Sequence, residues 1–489
     1  MKTGVPGVRL AAAGVFLLMA GCSSITNSHL QKEPMMKAYL SGRNAEVAQR
    51  IGDKLRSSAG TGDELMWRLE AGAFYFNQGD DRRSVGEFEQ AEKLIGEYDD
   101  RPTVSVRDAG SESGAMLTNL NALPYCGFCR DRIALSIYKS LAYLGEGREE
   151  SFLAQLRRLR VTQKEVAEKY REFFEAEQKE IAEAKKKNPA AARSVSQGGG
   201  TLSGQTGSDE FNRALAETRK IAHRGYGNFL NPAALFLSAL GSLREGDMDN
   251  ARIDFRRLYE SSPSNPLFQR CYVTVLKQLG DQVPAELEGA KPFDFPLDRD
   301  CVYVLFANGR GAAFRQVAIY FPVMTAYPVC EYYPAPYRYL AVTGGGETVN
   351  TAPLSDMDAI LAQEYDERLP GMIVRIVLST AIKEGASYAG AWAVYRENEL
   401  AGAMVLLGSM LYRAAFNTAD TRNWELLPKE FQLAILPMPA DRRITVAPDG
   451  NRADAVTLNI PAEDRSAIVY VNAPSSGAMR CRILGMPSK

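Results

Sequence analysis

Two cysteines three positions apart, Cys126 and Cys129 in "LPYCGFCRDR", are the residues best spaced for chemistry. A CxxC pair serves as a redox centre, as half of a zinc site or as a local disulfide. Redox use needs a strand running into a helix whose N-terminus lowers a thiol pKa. Here the pair runs into a helical pattern with no strand pattern before it. Zinc takes four ligands, commonly Cys or His. Cys271, Cys301, Cys330 and Cys481 stand singly, and His29 and His223 are the only histidines. No metal site follows. A Cys126–Cys129 disulfide, which an oxidising compartment allows, and plain packed thiols both stay open. The second candidate is a polar patch of Arg375, Lys383 and Arg422, which an enzyme or ligand-binding site in the C-terminal half would draw round one pocket. "GGGE" at Gly344–Glu347 lacks the lysine of a phosphate-binding loop. The acids of "DMD", Asp356 and Asp358, fit the first turn of a helix. With no GxSxG or HExxH, no catalytic residue and no cofactor is read from the chain.

The N-terminus fixes the compartment. Lys2 and Arg9 precede a short apolar stretch, Leu10 to Ala20, well below the roughly 20 residues needed to cross a bilayer. Residues 1–21 therefore read as a secretory signal peptide. "LLMAGC" resembles the bacterial lipobox, with Met19 where Leu is usual. That resemblance implies cleavage before Cys22 and a lipid on its thiol. Each buried CH₂ contributes about 0.8 kcal/mol, so two or three acyl chains anchor firmly. Ser23 and Ser24 follow without an aspartate, which resembles the default for sorting to an outer membrane. Lys+Arg 58 against Asp+Glu 59 gives nucleic-acid binding no electrostatic support. Removing Lys2 and Arg9 takes the net charge from −1 to −3.

These features need elements to position them. Residues 22–45 read as a tether. From 46 to 285 the pattern is helical and repetitive. In "LMWRLEAGAFYFNQGDDRRSVGEFEQAEKL", Gly79-Asp80 make a turn, while the small residues Gly72, Ser84 and Ala91 let two helices approach. "NPAALFLSALGSLREGDMDNARIDFRRLYESSPSNP" repeats this grammar with Gly246-Asp247, Ala251 and Phe255. "ALSIYKSLAYLGEGREESFLAQLRRL" is a weaker copy. Within the array, 163–210 is an insertion: a charged helix, then a Gly/Ser-rich flexible loop. "PLFQRCYVTVLKQLGD" reads as a final helix with an apolar face, on which the C-terminal half is expected to dock as a cap.

From 290 to 489 the chain turns to short β-branched and aromatic runs, about eight of them, as "CVYVLFA" and "AIVYVN" show. A helical insert spans about 355–417, opened by a capping box at Ser355 and Asp358. The fold class is thus α+β and multidomain: N-terminal tetratricopeptide-like helical repeats, then an antiparallel β-rich sandwich or barrel-like domain with inserted helices.

Together the lipobox, "PYCGFCRDRIALSIYKSLAYLGEG", "NPAALFLSALGSLREGDMDNARIDF", "LPGMIVRIVLSTAIKE" and "ADTRNWELLP" resemble a family of bacterial lipoproteins that contain tetratricopeptide repeats. In that family the segment after "PY" normally lacks cysteines, and a Glu-Ala-Arg run stands where this chain has "LAQLRR". The resemblance implies a protein of the bacterial envelope with no established activity, found beside lipoproteins that activate peptidoglycan synthases. The expectation is a scaffold or adaptor, lipid-anchored through Cys22 at the periplasmic face of the outer membrane, offering the concave face of its repeats to another envelope protein. An enzyme or ligand-binding protein with its site in the C-terminal domain is the alternative.

Overall fold

The computed structural model describes residues 28–100, 124–187, 208–227, 229–320, 324–373, 376 and 418–487. Helices come first: α1 Ser28–Leu40, α2 Asn44–Ser58, α3 Glu64–Gln78, α4 Asp81–Asp99, α5 Cys129–Gly145, α6 Glu149–Lys187, α7 Ser208–Ala222, α8 Pro232–Glu245, α9 Met248–Ser261 and α10 Pro266–Leu279. The two clearest hairpins end their first helix the same way. Gly79 and Gly246 adopt left-handed backbone, with φ of 82° and 76°. The next residue is an aspartate whose side chain caps the second helix, Asp80 on the Arg83 N–H at 3.2 Å and Asp247 on the Asn250 N–H at 3.1 Å. Gly72 is where α3 meets α4. A Cβ there would lie 2.5 Å from the Phe88 ring, and Ser84 Oγ donates to the Gly72 carbonyl at 2.8 Å.

The helices form two layers. In α5 every residue from Ile133 to Leu144 is buried, and in α8 every residue from Pro232 to Leu243. A helix that is buried all round must have neighbours on both sides. The outer neighbours are α4, α6 and α9. On the inner side lies a sheet of the C-terminal half.

That half holds β1 Cys301–Asn308, β2 Ala313–Tyr320, β3 Met324–Glu331, β4 Leu340–Gly344, β5 Glu347–Asn350, β6 Ala352–Asp356, β7 Glu430–Pro437, β8 Arg443–Pro448, β9 Val456–Asn459, β10 Asp464–Ala473 and β11 Arg480–Pro487. A further helix, α11, covers 357–373. The central sheet has five strands in the order β11-β10-β1-β7-β6, and a second has four in the order β5-β4-β8-β9. The antiparallel expectation needs one correction: β1 pairs in parallel with β10, so the central sheet is mixed. β1 is buried along its whole length because both faces are covered. Tyr303, Leu305 and Ala307 join the core shared with the helices, while Val302, Val304 and Phe306 join the core between the sheets. The sandwich is present, with a helical layer added. The β2–β3 hairpin packs separately, on α7 and α11.

Three further expectations change. The segment expected as a tether is, from Ser28, the packed helix α1, burying Met35, Met36 and Tyr39. The sheet does not cap the final helix. It lies across the inner helices, with Phe76 against Tyr470 at 4.8 Å, Tyr138 against Phe431 at 6.3 Å and Phe236 against Tyr303 at 6.1 Å. The face expected to receive a partner is thus covered by the chain itself. One core runs through both halves, across the 285–290 boundary. The connection after α10 covers that helix instead: Leu287, Phe293 and Leu297 are buried, the Phe293 N–H donates to Thr274 Oγ1 at 2.9 Å, and Arg270 stacks on Phe293 at 4.0 Å.

Candidate functional site

The structure brings two of the sequence-singled segments together, "PYCGFCRDR" and "ADTRNWELLP". Gly127 turns the chain at a φ of 75°, and α5 starts at Cys129. The free N–H groups of that helix start receive acids. Asp131 accepts from the Phe128 N–H at 3.0 Å and from the Tyr125 hydroxyl. Glu364, from α11, accepts from the Cys129 N–H at 3.0 Å and the Arg130 N–H at 3.4 Å. Negative charge is favourable at a helix N-terminus. Arg368 holds Glu364 from one turn further on, at 2.6 Å.

Arg130 then runs inward, fully buried, to Asp131 Oδ1 at 3.1 Å, Asn423 Oδ1 at 2.6 Å and the Trp424 carbonyl at 3.3 Å. Residues 420–427 form a strap threaded between the helices and the sheet. Lys32 of α1 meets it from the other side, donating to Glu70 Oε1 at 2.7 Å and to the Asn423 carbonyl. Glu70 accepts the Glu425 N–H at 2.8 Å and the Leu426 N–H at 3.0 Å. Glu425 in turn accepts from Arg310 at 2.7 Å and faces His29 at 3.6 Å. Trp424 lies against the Phe88 and Tyr138 rings, 6.0 Å from each.

Burial is the main electrostatic force here. It pushes the Glu70 and Glu364 carboxyls up, against the opposing pull of Lys32 and Arg368. Burial also pushes Glu425 up, but the nearby His29 and the charges of Lys32 and Arg310 outweigh it and hold that carboxyl below its usual range. The Cys129 thiol is pushed well up by burial and by the Glu364 charge beside it, and the Cys126 thiol is raised by burial as well. A redox or nucleophilic cysteine needs the opposite shift. Both thiols are free, Cys126 exposed and Cys129 buried.

Arg422 of the expected polar patch is buried and paired, to Asp420 at 2.7 Å and to Asp63 of the helical half at 3.2 Å, with Tyr125 6.0 Å from its guanidinium. Its guanidinium is thus engaged by two carboxylates. Arg375, Lys383 and Cys22 lie outside the described residues. The "GGGE" run is the β4–β5 turn, with Gly345 and Gly346 at φ of 60° and 86°. Asp356 rather than Ser355 caps α11, accepting the Ala359 N–H at 2.9 Å, while Asp358 is buried against Lys429 and the Ala312 N–H. Among the described residues no group of three or more His, Cys, Asp or Glu is arranged to hold a metal ion, and no helix is long and apolar enough to cross a membrane.

Sequence reasoning missed Lys32, Glu70, Arg130 and Glu364. Only Glu70 carries a signal, a charge set within the apolar run "LMWRLEAGAFYF"; Lys32, Arg130 and Glu364 stand beside other polar residues. Comparison of the chain with family models, with curated proteins and with solved structures finds no match in any of the three. What the arrangement can do chemically is clasp. Its charges neutralise one another, and its thiols are held protonated.

Proposed function

We propose that the chain is a lipid-anchored scaffold of a bacterial envelope, held by acylated Cys22 at the periplasmic face of the outer membrane and carrying tetratricopeptide-like hairpins. The observation behind the anchor is "LLMAGCSS". The hairpin reading rests on the shared turn grammar of Gly79-Asp80 and Gly246-Asp247 and on the close approach at Gly72. Cys22 and Ser28 are six positions apart, a reach of at most about 20 Å. The folded body would therefore stand close to the bilayer, with α1 nearest to it. The inner face of the helices is covered by the sheet, so a protein partner, whether or not it serves peptidoglycan synthesis, would meet the outer helices α4, α6 and α9.

Cys22→Ala tests the anchor. The wild-type chain should enter the detergent phase on phase partitioning, and the variant should move to the aqueous phase. A variant that partitions like wild type overturns the reading.

A further inference from the structure

A cleft of about 310 Å³ opens between the outer helices α6 and α9, away from the clasp. Its upper end is closed by a fixed contact: Arg160 of α6 binds Asp254 of α9 at 2.7 Å. One turn further along each helix the cations no longer meet acids. Lys164, Arg171 and Arg257 line the cleft, and none of them has an ion-pair partner among the described residues. Of the two acids there, Glu260 already binds Arg256 at 2.8 Å, which leaves Glu168 uncommitted.

A second observation comes from the lining. Gln163 is 2% exposed, and its Oε1 accepts the Asn231 N–H at 3.2 Å. That bond fixes the amide's orientation, and the buried Nε2 is left with no acceptor. Such a donor costs about 1–3 kcal/mol unless something satisfies it. Tyr226 has a related surplus. Its oxygen accepts the Asp356 N–H at 2.9 Å, so its proton remains to be given. Burial pushes that hydroxyl up to about 12, which keeps the proton on it. The cleft thus offers donors and positive charge, with one acid between two cations. Ala167 of α6 and Leu230 supply the apolar part of the lining.

We propose that this cleft binds a small polyanion, its acidic groups held by Lys164, Arg171 and Arg257 and by the Gln163 amide, and its carbon skeleton lying against Ala167 and Leu230. Lys164 and Arg171 are seven residues apart on one helix, about 10 Å along its axis. That spacing suits two acidic groups on one molecule better than one compact ion. Carboxylates and phosphates both meet these requirements, and the size falls at the lower end of small-molecule clefts, roughly 300–1,000 Å³. Glu168 is the element that limits affinity for any such ligand.

Titration calorimetry of the full chain in detergent tests this, with citrate in one arm, pyrophosphate in the other and chloride at matched ionic strength as the blank. One arm or both should saturate at one ligand per chain. The stronger arm identifies the acidic group. Lys164→Gln and Arg257→Gln should each weaken binding about tenfold, the loss expected for one charged hydrogen bond. Gln163→Leu should weaken it too, and Glu168→Gln should tighten it. That opposite sign is something a general loss of structure cannot produce, and far-ultraviolet circular dichroism of each variant checks the fold. Saturation by neither anion overturns the proposal. So does saturation that survives the Lys164→Gln/Arg257→Gln double change.

Discussion

The inner junction and the outer cleft carry the same residue types and use them in opposite ways. At the junction Lys32, Arg130 and Arg310 each meet an acid, and two of those acids, Glu70 and Asp131, meet backbone N–H groups as well. Between α6 and α9 the cations Lys164 and Arg171 are exposed and Arg257 is half-buried, and all three line an open cleft. A charge moved from water into a protein interior costs several kcal/mol, so it survives there only when paired and hydrogen-bonded. A charge left in water carries no such requirement and stays free for a ligand. The contrast divides the molecule: the interior network holds the halves together, and the outer helices are where new contacts can form.

The comparison breaks most visibly at Glu70. Glu70→Ala removes the partner of a fully buried Lys32 and leaves the Glu425 and Leu426 N–H groups without their acceptor. Loss of one partner of a buried pair costs about 3–5 kcal/mol. Lys32→Met should cost less. Burial already pushes the Glu70 carboxyl up, so the acid can take a proton once its cation is gone and still accept at least one of the N–H groups. Urea unfolding midpoints of the two variants should fall in that order. Equal losses would mean that the ion pair matters and the capped backbone does not.

The sequence revealed the elements better than it revealed their meeting. The turns at Gly79 and Gly246 were readable because a left-handed residue followed by a capping aspartate is a local device. β1 and β7 were readable from β-branched and aromatic runs. α1 was not, because Pro34 interrupts "HLQKEPMMKAYL" and its apolar residues are few. The clasp was out of reach for another reason. Arg130 and Asn423 are 293 positions apart, and Lys32 and Asn423 are 391 apart. No periodicity joins positions so distant. The parallel pairing of β1 with β10 is likewise a choice of tertiary structure, made by strands whose patterns fit either direction.

A middle-sized effect is expected at Asp358, buried where α11 meets the sheet. Burial pushes its carboxyl from 3.8 up to about 6, against the opposing charge of Lys429. A raised acid binds its proton more tightly folded than unfolded. Its contribution is therefore fully present below about pH 4 and is lost as pH rises through about 6. Asp358→Asn keeps an acceptor for the Ala312 N–H and removes the titration. The difference in unfolding free energy between wild type and variant should change by about 1–3 kcal/mol between pH 4 and pH 7, with wild type relatively more stable at the acid end. A difference that does not change with pH would place this acid with the solvated charges rather than the interior ones.

The smallest effect belongs to the cleft, and its smallness is the sharpest form of the comparison. Arg257 is half-buried beside the exposed Lys164, with no acid paired to either among the described residues. Removing such a charge strands no partner. It also relieves repulsion between neighbouring cations, while the aliphatic stem of Arg257 loses a little packing. These effects oppose one another, and surface changes of this kind usually fall within about 0.5 kcal/mol. Arg257→Gln and Lys164→Gln should therefore leave the urea midpoint close to wild type in the absence of polyanion. Added citrate or pyrophosphate should then raise the wild-type midpoint and leave those of the two variants nearly still, because a ligand stabilises only the state that binds it. A large loss of stability in either variant without ligand would show that these cations belong to the structural network, and the distinction between the two regions would fail.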